Sequence, residues 1–315
     1  MTPGNFNTTL GVVRTIREQL RPIHQVFICE MGAKNIGDIK EICDLVNPQY
    51  GVLTSIGPQH LESFKTIENI IQTKFELPDS LPENGIAFLN YDNEYIQKRE
   101  IEKNKITYGL ENSKADFHPY DTKVSREGSD FKIKLPDGTI QEFSTRLIGT
   151  HNVLNIAGAI AVAYSLGVPT KAIVSQVKKL EYIPHRLQLI KSNRGLIIDD
   201  AYNSNPSGCK AALETLSCFE GIKILVTPGM IELGEKQDEL NKEFGIRASR
   251  VSDYVVLIGK NQTKAILEGL IQQDYPENKI FIAEKLEEGL QFVDTIKCEG
   301  KEKIILLEND LPDNY

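Results

Sequence analysis

Short apolar runs bounded by polar residues recur at 26–29, 52–56 and 85–89, and runs of this kind predict buried strands. Between the second and third the spacing changes. Ile67, Ile70, Ile71 and Phe75 fall at helical intervals, Thr66 stands where an N-cap belongs and Pro78 marks an end, so 66–78 reads as a helix that carries Lys74. The polar stretch 111–142 alternates weakly and contains Asp137-Gly138, the turn signal of a β-hairpin. An Ala-rich helix is predicted over 151–166, closed by Gly167 and Pro169, and a second short helix begins at Thr170. After Tyr182-Ile183-Pro184 the pattern restarts. Strands predicted at 195–198, 222–226, 254–258, 279–282 and 303–307 alternate with helices, the first of which has Pro206 at its first position. This rhythm predicts an α/β fold with a mostly parallel sheet, helices on its faces and ligands at the carboxyl ends of its strands. The restart divides the chain into domains 1–183 and 184–315.

Composition narrows the class. With 315 residues and 40% apolar content the chain can bury a large core, and its length suggests about two domains. Its net charge of −8, with acidic and basic residues interspersed, argues against nucleic acid or a membrane surface as the main partner. Cys29, Cys43, Cys209, Cys218 and Cys298 are odd in number and lack C-x-x-C spacing, which points to a reducing cytoplasm rather than a disulfide framework or structural zinc. No apolar run is long enough for a membrane span, and the first residues do not read as a signal peptide.

Several strings could carry chemistry. Glu30 ends a predicted strand, where a carboxylate can reach Mg²⁺ held mainly by water and phosphate; its alternative is an ordinary strand-end acid. His60 lies in the loop Gly57-Pro58-Gln59-His60-Leu61-Glu62 after the next strand, and adjacent parallel strands would bring the two loops to one edge. Lys74 would be repelled by a nearby cation unless it binds phosphate or is carbamylated to an anion; otherwise it is a solvated helix lysine. Asn152 and Asn155 share a helix face, where their amides suit the edge of an adenine, with N-capping by Asn152 as the alternative. The string Asp199-Asp200-Ala201-Tyr202-Asn203-Ser204-Asn205-Pro206 lies between a strand and a helix, a ligand position in doubly wound sheets whose carboxylates can hold ribose hydroxyls. Arg186 has the fork geometry for phosphate or for a surface ion pair. Thr227-Pro228-Gly229 opens a further Gly-containing loop.

Taken in order, Thr2-Pro3-Gly4-Asn5-Phe6-Asn7-Thr8-Thr9-Leu10-Gly11-Val12, Glu30-Met31-Gly32-Ala33, Gly37-Asp38-Ile39 and Ile56-Gly57-Pro58-Gln59-His60-Leu61-Glu62 resemble the Mur ligases. These are ATP-dependent amide-forming enzymes of cytoplasmic peptidoglycan precursor synthesis. The strings are most similar to the branch that joins D-Ala-D-Ala to UDP-N-acetylmuramoyl-tripeptide. The resemblance runs from Thr2 to about Leu307 and implies a central ATP-binding domain, lacking its start, followed by a Rossmann-like C-terminal domain. It implies Mg²⁺ on Glu30 and His60, with Lys74 as a third ligand if carbamylated. It further implies adenine beside Asn152 and Asn155, phosphate and ribose on Arg186 and Asp200, and Tyr202 and Asn203 as further nucleotide-binding residues. Lys74, His60 and Arg186 would be the catalytic residues of a reaction in which the γ-phosphate of ATP activates the tripeptide carboxylate as an acyl phosphate.

Two departures qualify what the resemblance implies. No Gly-x-x-x-x-Gly-Lys-Ser/Thr string occurs; Gly259-Lys260 is followed by Asn261 and has Tyr254 where the first glycine belongs. Met1 is therefore expected to be an internal methionine of a longer frame, and the chain alone is expected to be inactive. A companion chain carrying the phosphate loop, self-association through an open sheet edge, and a non-catalytic remnant that binds nucleotide weakly are the readings that follow. The second departure is Leu307-Glu308-Asn309-Asp310, where many members have a Lys-Gly-Ser type turn. A ligase acting on folate and glutamate shares the fold, but the string from Thr2 to Val12 disfavours it.

Overall fold

The computed structural model describes residues 1–58, 61–202 and 204–309, so His60 and Asn203 lie outside the described residues. The chain forms two compact units, one comprising Met1–His118 with Ala157–Val162, the other Pro119–Ile156 with Ala163–Tyr315.

The first unit contains α1 (Thr9–Gln19), α2 (Asp38–Val46), β1 (Tyr50–Leu53), α3 (Leu61–Phe64), α4 (Ile67–Asp79), β2 (Ile86–Asn90), α5 (Glu94–Lys98) and β3 (Asn104–Tyr108). The three strands form a parallel sheet in the order β1-β2-β3. Helix α4 begins as the sequence predicts, with the Thr66 hydroxyl accepting the Asn69 N–H, and it buries Ile70, Thr73, Phe75 and Pro78. It lies close on β1 because residue 51 is glycine: a Cβ there would stand 3.0 Å from Leu77. Leu53, Ile56, Phe64, Ile70, Phe75 and Leu89 share the resulting core.

One strand expectation fails. Residues 26–29 join no ladder, and Val26 and Ile28 are 58% and 65% exposed. The segment is tied through Thr2, whose N–H donates to the Ile28 carbonyl. A strand-like apolar run is buried only when a neighbouring strand pairs with it, and no described strand does so here.

The second unit opens with β4 (Pro119–Ser125), β5 (Gly128–Lys134) and β6 (Ile140–Thr145), an antiparallel sheet whose Phe131 and Phe143 rings stack at 5.4 Å. The Asp137-Gly138 turn lies between β5 and β6, with Gly138 at φ +85°. Next come α6 (Thr150–Ser165), whose residues 157–162 count with the first unit, and α7 (Thr170–Val177). The rest runs β7 (Gln188–Ser192), β8 (Gly195–Asp200), α8 (Pro206–Ser217), β9 (Ile222–Thr227), α9 (Gln237–Ala248), β10 (Tyr254–Ile258), α10 (Lys264–Ile271), β11 (Ile280–Ala283), α11 (Leu286–Thr295) and β12 (Lys303–Glu308).

The large sheet has the order β11-β10-β9-β12-β8-β7, parallel except for β7. Its apolar runs feed two cores, as expected when both faces are covered. Leu225, Leu257, Ile304 and Leu306 pack into one, and Ile224, Val226, Val256 and Ile305 into the other. Because β12 inserts between β9 and β8, the carboxyl ends of these three strands are neighbours, although their residues lie far apart in sequence.

Candidate functional site

In the first unit the loop at 2–7 builds the environment of Glu30. The Glu30 N–H donates to Thr2 Oγ1 at 3.0 Å, and Asn7 Nδ2 donates to Glu30 Oε1 at 3.1 Å. The Gly32 N–H donates to the Asn7 carbonyl at 2.7 Å, and a Cβ on Gly32 would stand 2.9 Å from the Asn7 side chain. Glycine at 32 is thus what lets Asn7 reach the carboxylate. Lys74 on α4 faces the same group: burial lowers its pKa, and the Glu30 charge works the other way. An amine with a depressed pKa is more often neutral, the form that can act as a nucleophile or take up CO₂.

Among the described residues no three His, Cys, Asp or Glu side chains gather as a metal cluster. Mg²⁺ keeps several waters and uses one or two protein carboxylates. Glu30, exposed and tethered through one oxygen, suits that requirement.

In the second unit Asn152 and Asn155 stand on α6, within the helix rather than at its cap. Asn152 Nδ2 donates to the Ile148 carbonyl at 2.8 Å, so its amide is oriented without N-capping, and Asn155 is exposed. The neighbouring His151 is neutral at ordinary pH, because burial lowers its pKa to about 4.

Arg186, Tyr202 and Asp200 come together at the end of β8. The Arg186 guanidinium lies over the Tyr202 ring at 4.4 Å, and the Leu187 N–H donates to Asp200 Oδ1 at 3.0 Å. His185 and Leu187 hold left-handed backbone, φ +60° and +47°, a conformation that costs energy for residues with a side chain. The turn is pinned on both sides of Arg186, by Leu187 and by His185, whose Nδ1 lies 2.9 Å from Asp199 Oδ2. Asn205 caps α8 through the Ser207 and Gly208 N–H groups. The Thr227-Pro228-Gly229 loop is closed by Asn241, which accepts from the Met230 N–H and donates to its carbonyl, and by Asn309, which donates to the Gly229 carbonyl at 2.6 Å.

The structure therefore groups Glu30 with Lys74 and, separately, Arg186 with Tyr202 and Asp200. It adds residues that sequence reasoning did not assign a role: Thr2 and Asn7, which hold Glu30; His185, which pins the Arg186 turn on Asp199; and Glu308, buried beside Asp200. Thr2 and Asn7 lay inside a string that carried the resemblance, which was the available signal. A buried acid at the end of a central strand is the corresponding signal for Glu308.

Residues 1–163 match the family model of the Mur ligase middle domain, and residues 185–307 match that of the Mur ligase, glutamate ligase domain. The chain is 30% identical over 270 residues to the UDP-N-acetylmuramoyl-tripeptide--D-alanyl-D-alanine ligase of Escherichia coli, covering 84% of this chain and 59% of the relative. It is 33% identical over 247 residues to the Bacillus subtilis protein of the same name, covering 78% and 53%. The crystal structure of the MurF ligase from Thermotoga maritima in complex with ADP superposes with a TM-score of 0.84 at 26% identity, covering 98% of this chain and 69% of that one. The chain thus spans between half and three fifths of the length of these two curated relatives. With one family model covering more than half of its length and a second following in order, the chain belongs to the Mur ligase family.

Proposed function

We propose that this chain supplies the metal-binding and nucleotide-binding residues of a cytoplasmic ATP-dependent carbon-nitrogen ligase that adds D-Ala-D-Ala to UDP-N-acetylmuramoyl-tripeptide. The observation that carries this reading is an oriented Glu30 whose charge acts on a half-buried Lys74 of lowered pKa. It is supported by the ligase names of the relatives and by the ADP in one of the solved structures. The proposed boundary between the two functional parts is 183/184.

Glu30, His60 and carbamylated Lys74 would hold Mg²⁺, which when bound supplies charge neutralisation for a transferring phosphoryl group. Carbamylation joins the neutral Lys74 nitrogen to the carbon of CO₂ and releases one proton to water, turning a cationic side chain into an anionic one. Asn152 and Asn155 offer amide donors and acceptors to an adenine edge, and Asp200 an acceptor to a ribose hydroxyl. Arg186, prealigned on Tyr202, offers its fork to phosphate, with Asn203 a further nucleotide contact.

The given sequence contains no phosphate-gripping loop, and each missing charge-assisted hydrogen bond is worth about 1.5–3 kcal/mol. A few such bonds amount to several decades in rate. A polypeptide of these 315 residues alone is therefore expected to turn over no substrate.

Two measurements test the proposal. Carbon-13 NMR in labelled bicarbonate should show a lysine carbamate that is absent from Lys74→Arg; identical spectra would remove Lys74 from the metal site. ADP release by the purified chain with ATP, Mg²⁺, UDP-sugar tripeptide and D-Ala-D-Ala should stay at background. Sustained release that requires all the substrates would instead show a self-sufficient enzyme.

A further inference from the structure

The register of the large sheet sets Glu308 on β12 opposite Asp200 on β8, so two carboxyl groups stand on adjacent strands at their carboxyl ends. Glu308 is 1% exposed. Its Oε1 accepts the Ser204 hydroxyl and the Cys209 thiol, the latter at 3.1 Å. Its Oε2 is sealed from solvent and has no donor among the described residues. A carboxylate oxygen can only accept, so an ionised Glu308 would leave that atom unsatisfied in the core. A protonated Oε2 removes the difficulty by becoming a donor, and its neighbour Asp200 is the acceptor.

The surrounding charges decide which acid keeps the proton. Burial pushes the Asp200 pKa up as well, but Asp200 accepts the Leu187 N–H and faces the Arg186 guanidinium, both of which favour its charged form. Asp199, the other nearby acid, has His185 and the Ala201 N–H as its own partners. Glu308 faces Asp200, Ser204 and Cys209, with no cation among them, and Cys209 stays a thiol because burial and then Glu308 push its pKa well up. Burial, followed by repulsion from Asp200, pushes Glu308 up to about 8.

We propose that Glu308 is a positioning residue: as a neutral acid it donates Oε2–H to Asp200 and holds that carboxylate ionised and oriented to accept a ligand hydroxyl. The role rests on the reading of Asp200 as a ribose contact. Glu308 also ties the loop after β8 to the end of β12 through Ser204, while the next residue, Asn309, donates its N–H to the Asp200 carbonyl at 3.2 Å. One proton thus joins the strand end to the segment that carries Asp200, Tyr202 and Ser204. When it is lost, the buried Glu308 carboxylate faces the half-buried Asp200 carboxylate and the acceptor is displaced.

Glu308→Gln separates proton from shape, because its amide N–H can donate to Asp200 and its amide oxygen can accept from Ser204 and Cys209 without titrating. Two readouts on the full chain are needed. The first is the urea midpoint against pH. The folded pKa of Glu308 lies above its ordinary 4.5, so the native state holds a proton that the unfolded chain releases. Wild type should therefore lose stability relative to Glu308→Gln as pH rises from 4.5 to about 8, and run parallel to it above that. Curves parallel across the whole range would overturn the protonated assignment.

The second readout is ADP affinity by calorimetry. Wild type should weaken about tenfold between about pH 7 and about pH 9, the scale of one good hydrogen bond, while Glu308→Gln stays level. Divergent stability curves with equal pH profiles for ADP would overturn the positioning role alone. Absence of ADP binding at every pH would overturn the ribose reading and the positioning role with it, and the stability curves would still report the shared proton.

Discussion

Val26 and Ile28 lie two residues apart, and both are more than half exposed. Among the described residues strand β1 is an edge of its sheet, with Tyr50 and Val52 41% and 38% exposed. Full burial of a valine or isoleucine is worth about 1.5–3 kcal/mol, so covering the exposed fractions of Val26 and Ile28 would contribute about 3 kcal/mol per protomer. A two-fold contact doubles this to about 6, and four strand-pairing hydrogen bonds at about 1 kcal/mol each bring the gain to about 10. With an association cost of about 4 kcal/mol, about 6 remains, a dissociation constant of about 40 µM. Sedimentation equilibrium from about 10 to about 500 µM should therefore resolve a monomer–dimer equilibrium, and Val26→Lys with Ile28→Lys should abolish it, since lysine blocks edge pairing. A wild-type chain that stays monomeric and binds no apolar dye would refute the reasoning. So would a double variant that dimerises as the wild type does.

Two further expectations concern the fold that supports the nucleotide residues. Lys303, 8% exposed, donates from Nζ to the Val293 carbonyl at 2.6 Å and to the Asp294 carbonyl at 3.3 Å at the carboxyl end of α11. Lys303→Met keeps the apolar stem and loses both bonds and the favourable charge at the helix end, so urea unfolding should show a loss of about 2–4 kcal/mol; a change below about 0.5 would show the ammonium to be dispensable. His151 titrates in the opposite sense to Glu308. Its folded pKa of about 4 lies below the ordinary 6.5, so the unfolded chain binds the extra proton and stability is lost as pH falls from 6.5 to about 4. The loss is about 3 kcal/mol, and a His151→Leu chain whose unfolding has the same slope over that window would show that another group is responsible.

What could be read from the sequence was what depends on neighbours along the chain. The cap at Thr66, the stop at Gly167, Pro206 at the start of α8 and the apolar runs of the large sheet are local signals, and the structure follows them. The run at 26–29 carries the same local signal and remains outside any ladder, because strand burial depends on a partner that the run itself does not encode. Glu30 and Lys74 were legible as candidates through their strings, but their proximity depends on the tertiary setting of α4 and of the loop at 2–7 that holds Glu30. The acid pair shows the limit most clearly. Asp200 and Glu308 become neighbours only because β12 inserts beside β8 in a register that aligns their ends. Read alone, each is an ordinary strand-end carboxylate. Side by side in a dry corner they cannot both ionise at low cost, and the fold assigns the proton to Glu308 by giving Asp200 the backbone donor and the guanidinium. A buried acid that would be a defect by itself thereby becomes the group that orients its neighbour.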